Sequence, residues 1–271
     1  MRVAAFQFDV RADDVDHNLS EVERGLRDAA RQGCELVVLP EMWPTSFAGG
    51  AVPIAQSLAE TERALECVAG WTRVLGLVVC GSALGRAGAL PTNRWHAVAD
   101  GRVVASYDKV HLFTPTAEEA SFSAGDAPPV CVDTRAGRIG GVVCYDLRFP
   151  EVARALFHAG VAVMAVSSQW PTTRAAHLEA LCAGRAVESQ CFVVACNRTG
   201  RAHIGRRQLE LEFPGRSRIV DPEGRVVACA GSDAGLVSAE IDLAVARTLR
   251  VRVPVAKDAR PEIYARWRSV R

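Results

Sequence analysis

The feature that most constrains the fold is a series of short apolar runs: Leu36-Val37-Val38-Leu39, Leu77-Val78-Val79-Cys80, Gly141-Val142-Val143-Cys144, Val161 to Val166 and Cys191 to Cys196. Each reads as a buried strand. Between them lie segments with helical spacing. Leu19, Val22, Leu26, Ala29 and Ala30 recur on one helical face, with Asp16 or Asn18 as candidate caps and Gly33 as a stop. Further helices are expected over 58–75, from Pro150 to Gly160, and over 173–190. This alternation argues for layers of sheet and helix, against a bundle or an all-β sandwich.

Asp100-Gly101, between Trp95–Ala99 and Val103–Tyr107, is a strong hairpin turn signal. Later strands are expected at Arg216–Val220, 225–229 and 235–241, with a turn at Asp221-Pro222-Glu223-Gly224. No linker rich in Pro, Gly or Ser separates these elements, so residues 1–271 are expected to form one domain. Hydrophobic residues make up 49% and the net charge is +1, which excludes a disordered tail and gives no global field for nucleic acid. Small or locally steered partners are favoured.

Met1 to Asp9 is too short in apolar length for a signal sequence and reads as a first strand. No run reaches the ~18 apolar residues of a membrane helix, so a soluble, cytoplasmic chain is expected. The nine cysteines are odd in number and mostly sit in apolar segments, which fits reduced thiols. There is no CxxC pair and no His/Cys cluster at zinc spacing, so no metal is expected.

Three of the strand-like segments end in, or lead to, reactive groups: Glu41 after Leu36–Pro40, Lys109 after Val103–Asp108, and Cys144 after Gly141–Val143. A thiol with a pKa near ~8.5 is a modest nucleophile until a base or a cation favours its thiolate. Glu41 can supply the base and Lys109 the cation. Such a set suits acyl transfer, in which sulfur attacks a carbonyl carbon and fixed donors receive the oxyanion. No GxSxG, GxGxxG, Walker A or HExxH element is present. The six histidines are scattered, with nothing to pair one with Cys144.

Leu39-Pro40-Glu41, Tyr107 to Phe113, and Val143-Cys144-Tyr145-Asp146-Leu147-Arg148-Phe149-Pro150-Glu151 together resemble the three catalytic motifs of the nitrilase, or carbon-nitrogen hydrolase, superfamily, in family order. The likeness extends to Asn18-Leu19, Asn93, Asn197-Arg198, Gly215-Arg216-Ser217 and Lys257 to Pro261. It implies an α/β fold, a four-layer α-β-β-α sandwich, usually in a homodimer or higher homo-oligomer, with no cofactor. It implies Glu41 as general base, Cys144 as thioester-forming nucleophile, and Lys109 with the Tyr145 backbone N–H as oxyanion donors. A second glutamate, seven residues before Gly125, falls on Glu118, with Glu119 as the alternative.

The run Ser167 to Arg174, with His177 and Arg185 to Gln190, is most similar to the bacterial ω-amidase type. That implies a short carboxylate-bearing amide such as 2-oxoglutaramate or succinamate. N-carbamoyl amino acid and deaminated-glutathione amidases are the alternatives, and a catalytically silent binding or assembly protein is the reading from another class. Trp170 is a candidate wall of the acyl pocket, Arg174 a candidate partner for the distal carboxylate, and Phe47 and Phe113 weaker lining candidates. Arg148 is expected in a structural ion pair that fixes the cysteine turn. Arg198, Arg201, Arg206, Arg207, Arg216 and Arg218 are expected on a solvated or subunit-contact face. Departures from the family pattern are Ser189, Gly184 and a lengthened basic insert, 201–214, in place of a shorter loop.

Overall fold

A computed structural model of the chain describes residues 1–47, 53–86, 88–205 and 208–267. In its first half, strands β1 (Arg2–Gln7), β2 (Cys34–Val38), β3 (Val78–Gly85), β4 (Thr92–Ala99) and β5 (Arg102–Asp108) are interrupted by helices α1 (Val15–Arg31) and α2 (Ile54–Leu75). The second half contributes β6 (Cys131–Thr134), β7 (Gly137–Val143), α3 (Pro150–His158), β8 (Val163–Ser168), α4 (Ala175–Ser189) and β9 (Phe192–Asn197). A hairpin of β10 (Thr199–Ile204) and β11 (Leu209–Pro214) follows, then β12 (Arg218–Val220), β13 (Val226–Cys229) and β14 (Gly235–Glu240). Short helices continue from Leu243 to Trp267.

The strands form two large sheets, ordered β14-β1-β2-β3-β4-β5 and β13-β12-β9-β8-β7-β6. In each sheet three strands are parallel, β1-β2-β3 and β9-β8-β7, five of the six carrying the apolar runs, and antiparallel strands flank them. Parallel strands are covered on both faces, which is why their sequences are nearly continuous in apolar residues.

The covering layers follow from the packing. Val3, Leu36, Val38, Val78 and Trp95 of one sheet meet Ile139, Val143, Val163, Ala165 and Val194 of the other. Val22, Leu26, Ala64 and Val68 of α1 and α2 close the outer face of the first sheet over Phe6, Val37 and Val79. Val152, Leu156, Leu178 and Cys182 of α3 and α4 close the second over Val142, Met164 and Val166. The layers therefore run α-β-β-α, as the resemblance implied. Close approach of the sheets depends on Gly141, where a Cβ would overlap the Trp95 indole.

Several local expectations need correction. The cap of α1 is Asp14, whose side chain accepts from the His17 amide at 3.1 Å. Asp16 instead pairs with Arg63 across to α2. Asn18 is buried and donates to the Arg11 and Pro44 carbonyls at 2.7 and 2.8 Å, tying α1 to the loop after Glu41. Helix α2 begins at Ile54 rather than 58, with Pro53 at its cap position. Asp100 and Gly101 both take positive φ (51° and 83°), as the hairpin signal required.

Gly184 lies inside α4, and a Cβ there meets nothing within 4 Å. Gly184→Ala is therefore expected to stabilise by about 0.5–1 kcal/mol, seen as a rise of roughly 1–3 °C in Tm. An unchanged or lower Tm would show that the site is less open than its geometry indicates.

Candidate active site

Parallel strands of an open α/β sheet present their carboxyl ends along one edge, where ligand sites form. Glu41 lies just beyond β2, Cys144 directly after β7, Gln169 and Trp170 directly after β8, and Arg198 directly after β9. Lys109 follows β5 and is fixed by its amide to the Asn93 carbonyl at 2.9 Å. Glu41 is held across the two sheets, its amide donating to the Ser168 carbonyl at 3.4 Å. Cys144 has φ +44°, unfavourable for a residue with a Cβ. That strained turn at the strand end carries the thiol into the cleft.

The charged groups meet as the strand ends suggested. Lys109 Nζ donates to Glu41 Oε1 at 2.9 Å and to both Glu118 oxygens at 2.9 Å, with Glu41 fully buried and Lys109 only 1% exposed. Glu118 also accepts the Phe113 amide at 2.6 Å. Of the two glutamates, Glu118 is buried on Lys109, whereas Glu119 is exposed.

Glu41 receives two further donors, Asn93 Nδ2 on Oε1 at 2.8 Å and the Gln169 amide on Oε2 at 3.0 Å. Surroundings made of donors fit its ionised form. The Cys144 thiol lines the same cleft as this carboxylate.

Burial, and then the neighbouring Glu118 charge, raise the Glu41 pKa, and Lys109 opposes them. Burial and the Glu41 charge push the Cys144 thiol well above its ordinary value, again against Lys109. For Lys109, burial alone would favour the neutral amine, but Glu118 and Glu41 outweigh it and hold the ammonium. Burial thus favours the neutral Cys144 thiol, while the donors on Glu41 favour its carboxylate and burial makes that carboxylate more basic. A proton can pass from sulfur to Glu41 as sulfur attacks an electrophile.

A cleft of about 470 Å³ opens above Cys144. Glu41, Lys109, Glu118, Tyr145, Phe47, Phe113, Trp170 and Arg174 all line it, so the candidates from the sequence other than Glu119 fall on one cavity. Trp170 is buried both against the wall and in the α3–α4 core. Arg174 lies over the Phe113 ring, 5.4 Å from its centroid.

Arg148 is a correction. No carboxylate lies within ion-pair distance of it among the described residues; it stacks over Trp170 at 5.0 Å, meets His177 Nδ1 at 2.9 Å, and lines the cleft. The turn is fixed instead by Asp146, which accepts Tyr107 Oη at 2.8 Å and the His111 amide at 2.9 Å. That bond set ties the lysine segment to the cysteine segment.

The solvated arginine face is also corrected in part. Arg198 is fully buried: it donates to Asp9 (2.7 Å), Val10 O (2.6 Å) and Gln169 Oε1 (3.1 Å), and covers the Phe213 ring at 4.7 Å. Burial lowers its pKa, against the Asp9 charge. Arg218 is 5% exposed and pairs with Glu179 at 2.9 Å. Arg201 and Arg216 are exposed, and Arg206 and Arg207 lie outside the described residues.

Asn93, Asp146, Gln169 and Arg198 are site-supporting residues to which the sequence reading assigned no such role. Gln169 holds Glu41 twice, through its amide and by Nε2 to the Glu41 carbonyl at 2.8 Å, and Arg198 in turn orients Gln169. Their sequence signals were position, at or next to the strand ends, and their place within the motifs that carry the family resemblance.

The sequence profile described as carbon-nitrogen hydrolase matches residues 2–251. The chain belongs to that family. Among relatives of this carbon-nitrogen hydrolase, the 2-oxoglutaramate amidase of Bacillus subtilis is 31% identical over 97% of this chain and 98% of its own. The omega-amidase YafV of Escherichia coli is 34% identical over 89% and 90%. The human deaminated glutathione amidase is 35% identical over 93% and 80%. Among solved structures, the NitN amidase from Nesterenkonia sp. AN1 superposes with a TM-score of 0.85 at 26% identity, over 98% of this chain and 99% of that one. A mutant of the same amidase carries covalent addition of the acetamide moiety of fluoroacetamide at its active site cysteine.

Among the described residues, no helix is long and apolar enough to cross a membrane, and no group of three or more His, Cys, Asp or Glu side chains could hold a metal.

Proposed function

We propose that this chain is a cysteine-dependent amidase of the ω-amidase kind, hydrolysing a short, carboxylate-bearing linear amide to its acid and ammonia. The observation that carries the reading is the buried Glu41–Lys109–Glu118 network beside Cys144, in a cleft that also holds Arg148 and Arg174, neither of them paired with a carboxylate among the described residues. Guanidinium groups free of carboxylate partners suit an anionic end of a substrate. The relatives' names support the same class.

In the proposed cycle the Cys144 proton moves to Glu41 while sulfur bonds to the amide carbon, and the carbonyl oxygen becomes an oxyanion received by Lys109 and the Tyr145 backbone N–H. Collapse breaks the carbon-nitrogen bond. Glu41 returns its proton to the departing nitrogen, and ammonia leaves a thioester. Water then loses a proton to Glu41 as its oxygen attacks the thioester carbon, and collapse gives the carboxylic acid and restores the thiol. Glu118 keeps Lys109 charged and oriented. No cofactor enters any step.

The finer parts of the reading are a single hydrolase domain spanning residues 1–271, a homodimer or larger homo-oligomer, and a cytoplasmic setting. All nine cysteines are free, which fits a reducing compartment. Exposed Val187, Val226, Val227 and Val251 offer apolar surface for a second copy. Neither a nucleic acid nor a membrane enters the proposal.

Ammonia release from 2-oxoglutaramate, succinamate, N-carbamoyl amino acids, deaminated glutathione and simple nitriles tests substrate choice. The short dicarboxylic monoamides are expected to give the highest kcat/KM, and activity confined to nitriles would overturn the reading. Deaminated glutathione is the second candidate, on the strength of the human relative.

A further inference from the structure

Residues 201–214 form most of the β10–β11 hairpin, and its register sorts its side chains by face. Arg201 opposes Glu212 and His203 opposes Glu210, while Gly200 opposes Phe213, Ala202 opposes Leu211 and Ile204 opposes Leu209. Strand alternation puts the charged pairs on one face and the apolar pairs on the other. Ile204, Leu211 and Phe213 line the cleft that holds Cys144.

The hairpin is pinned along its length. At its root the Thr199 amide donates to the Phe8 carbonyl at 3.0 Å, a Cβ on Gly200 would overlap the Asp9 carboxylate, and Arg198 clamps Phe213 while bonding Asp9. Midway, Thr172 Oγ1 donates to the Glu212 carbonyl at 3.1 Å. At the far end Gly205 has φ +70°, and a Cβ there would overlap the Thr116 carbonyl oxygen, two residues before Glu118. Backbone packed this closely at both ends makes a fixed wall rather than a swinging lid.

We propose that the β10–β11 hairpin is the specificity-determining wall of the acyl pocket, restricting substrates to short acyl chains with an apolar middle. Its inward side chains offer no hydrogen-bonding group, so a polar substituent against it would lose water without replacement. Phe47, Phe113 and Trp170 add aromatic lining to the same cleft, leaving Arg148 and Arg174 as the groups able to receive a distal anion. This deepens the amidase reading and rests on it for the identity of the acyl chain.

The test uses succinamate, glutaramate and adipamate, which share both ends and differ by methylenes. One methylene in an apolar pocket typically changes kcat/KM by ~10-fold or more. Leu211→Ala is expected to raise the adipamate-to-succinamate ratio of kcat/KM by at least ~10-fold, and Leu211→Trp to lower it similarly. Opposite signs from one position separate a wall from mere loss of stability. A ratio moved by less than about twofold in both variants overturns the proposal.

A second readout needs no turnover. Straight-chain aldehydes add to a thiol, sulfur bonding to the carbonyl carbon while the thiol proton ends on oxygen, and so protect Cys144 from iodoacetamide. Mass analysis of the Cys144 peptide is expected to show protection by propanal but not heptanal in the wild type, and by both in Leu211→Ala. Equal protection by both aldehydes in the wild type overturns the wall even if amides are hydrolysed. Length-dependent protection without hydrolysis of any amide overturns the amidase reading and upholds the wall.

Discussion

Glu41→Gln is expected to lower kcat/KM at neutral pH by on the order of 10³, at the centre of the range for losing a general base. The amide oxygen can still accept from Lys109 and Asn93, whereas the amide NH2 faces the Gln169 N–H and leaves that donor unpaired. The amide cannot take the proton from Cys144, whose thiol is held protonated by burial. A pH profile separates this chemistry from a packing defect. Activity requires ionised Glu41, and burial followed by the Glu118 charge raises its pKa above the ordinary 4.5. The acid limb of the wild-type profile should therefore lie above the usual carboxylate range, and it should vanish in Glu41→Gln. A variant within about tenfold of wild type, with the limb unmoved, would remove Glu41 from the proposed cycle.

Lys109→Met is expected to damage stability and activity together. It leaves Glu41 and Glu118 buried without their cation, and breaking a buried ion pair from one side costs about 3–5 kcal/mol. Loss of the oxyanion donor should lower kcat a further ~10²–10³-fold in whatever protein remains folded. The stability deficit has a predictable pH sign. Without Lys109, burial raises the Glu41 pKa further above its unfolded value, so the deficit is full at neutral pH and shrinks as pH falls and the carboxylate protonates. Adding Glu118→Gln removes one of the stranded charges. Urea unfolding should show the double variant more stable than Lys109→Met, while kcat/KM stays low. Equal recovery of both quantities would make Lys109 a structural residue only.

Much of the fold was legible because buried parallel strands must be apolar on both faces, so the runs at Leu36–Leu39, Gly141–Cys144 and Val161–Val166 could hardly be anything else. Within each sheet the parallel strands end along one edge, and the packing of the two sheets against each other brings Glu41, after β2 of one, to the same cleft as Cys144, after β7 of the other. Side-chain partnerships were less legible. Arg198 reads as a surface charge because its desolvation is offset by Asp9, 189 residues away, and by backbone carbonyls that no sequence pattern marks. Arg148 reads as an ion-pair residue for the same reason: stacking on Trp170 depends on the turn after β8, which brings that ring beside the cysteine turn. Residues 201–214 read as a basic stretch because charges dominate their composition. Its period-two alternation, with Ala202, Ile204, Leu211 and Phe213 on the other face, was the available signal of a ribbon with an apolar side.

The most direct test of a reactive Cys144 in this cleft is peptide-resolved mass after mixing the enzyme with the mono-p-nitrophenyl ester of a short dicarboxylic acid and quenching in acid. A good leaving group makes acylation faster than thioester hydrolysis, so the acyl-enzyme accumulates. The expected result is one acyl group on the peptide containing Cys144, absent in Cys144→Ala. Ester turnover with the acyl mass on another residue, or undiminished in Cys144→Ala, would contradict the mechanism.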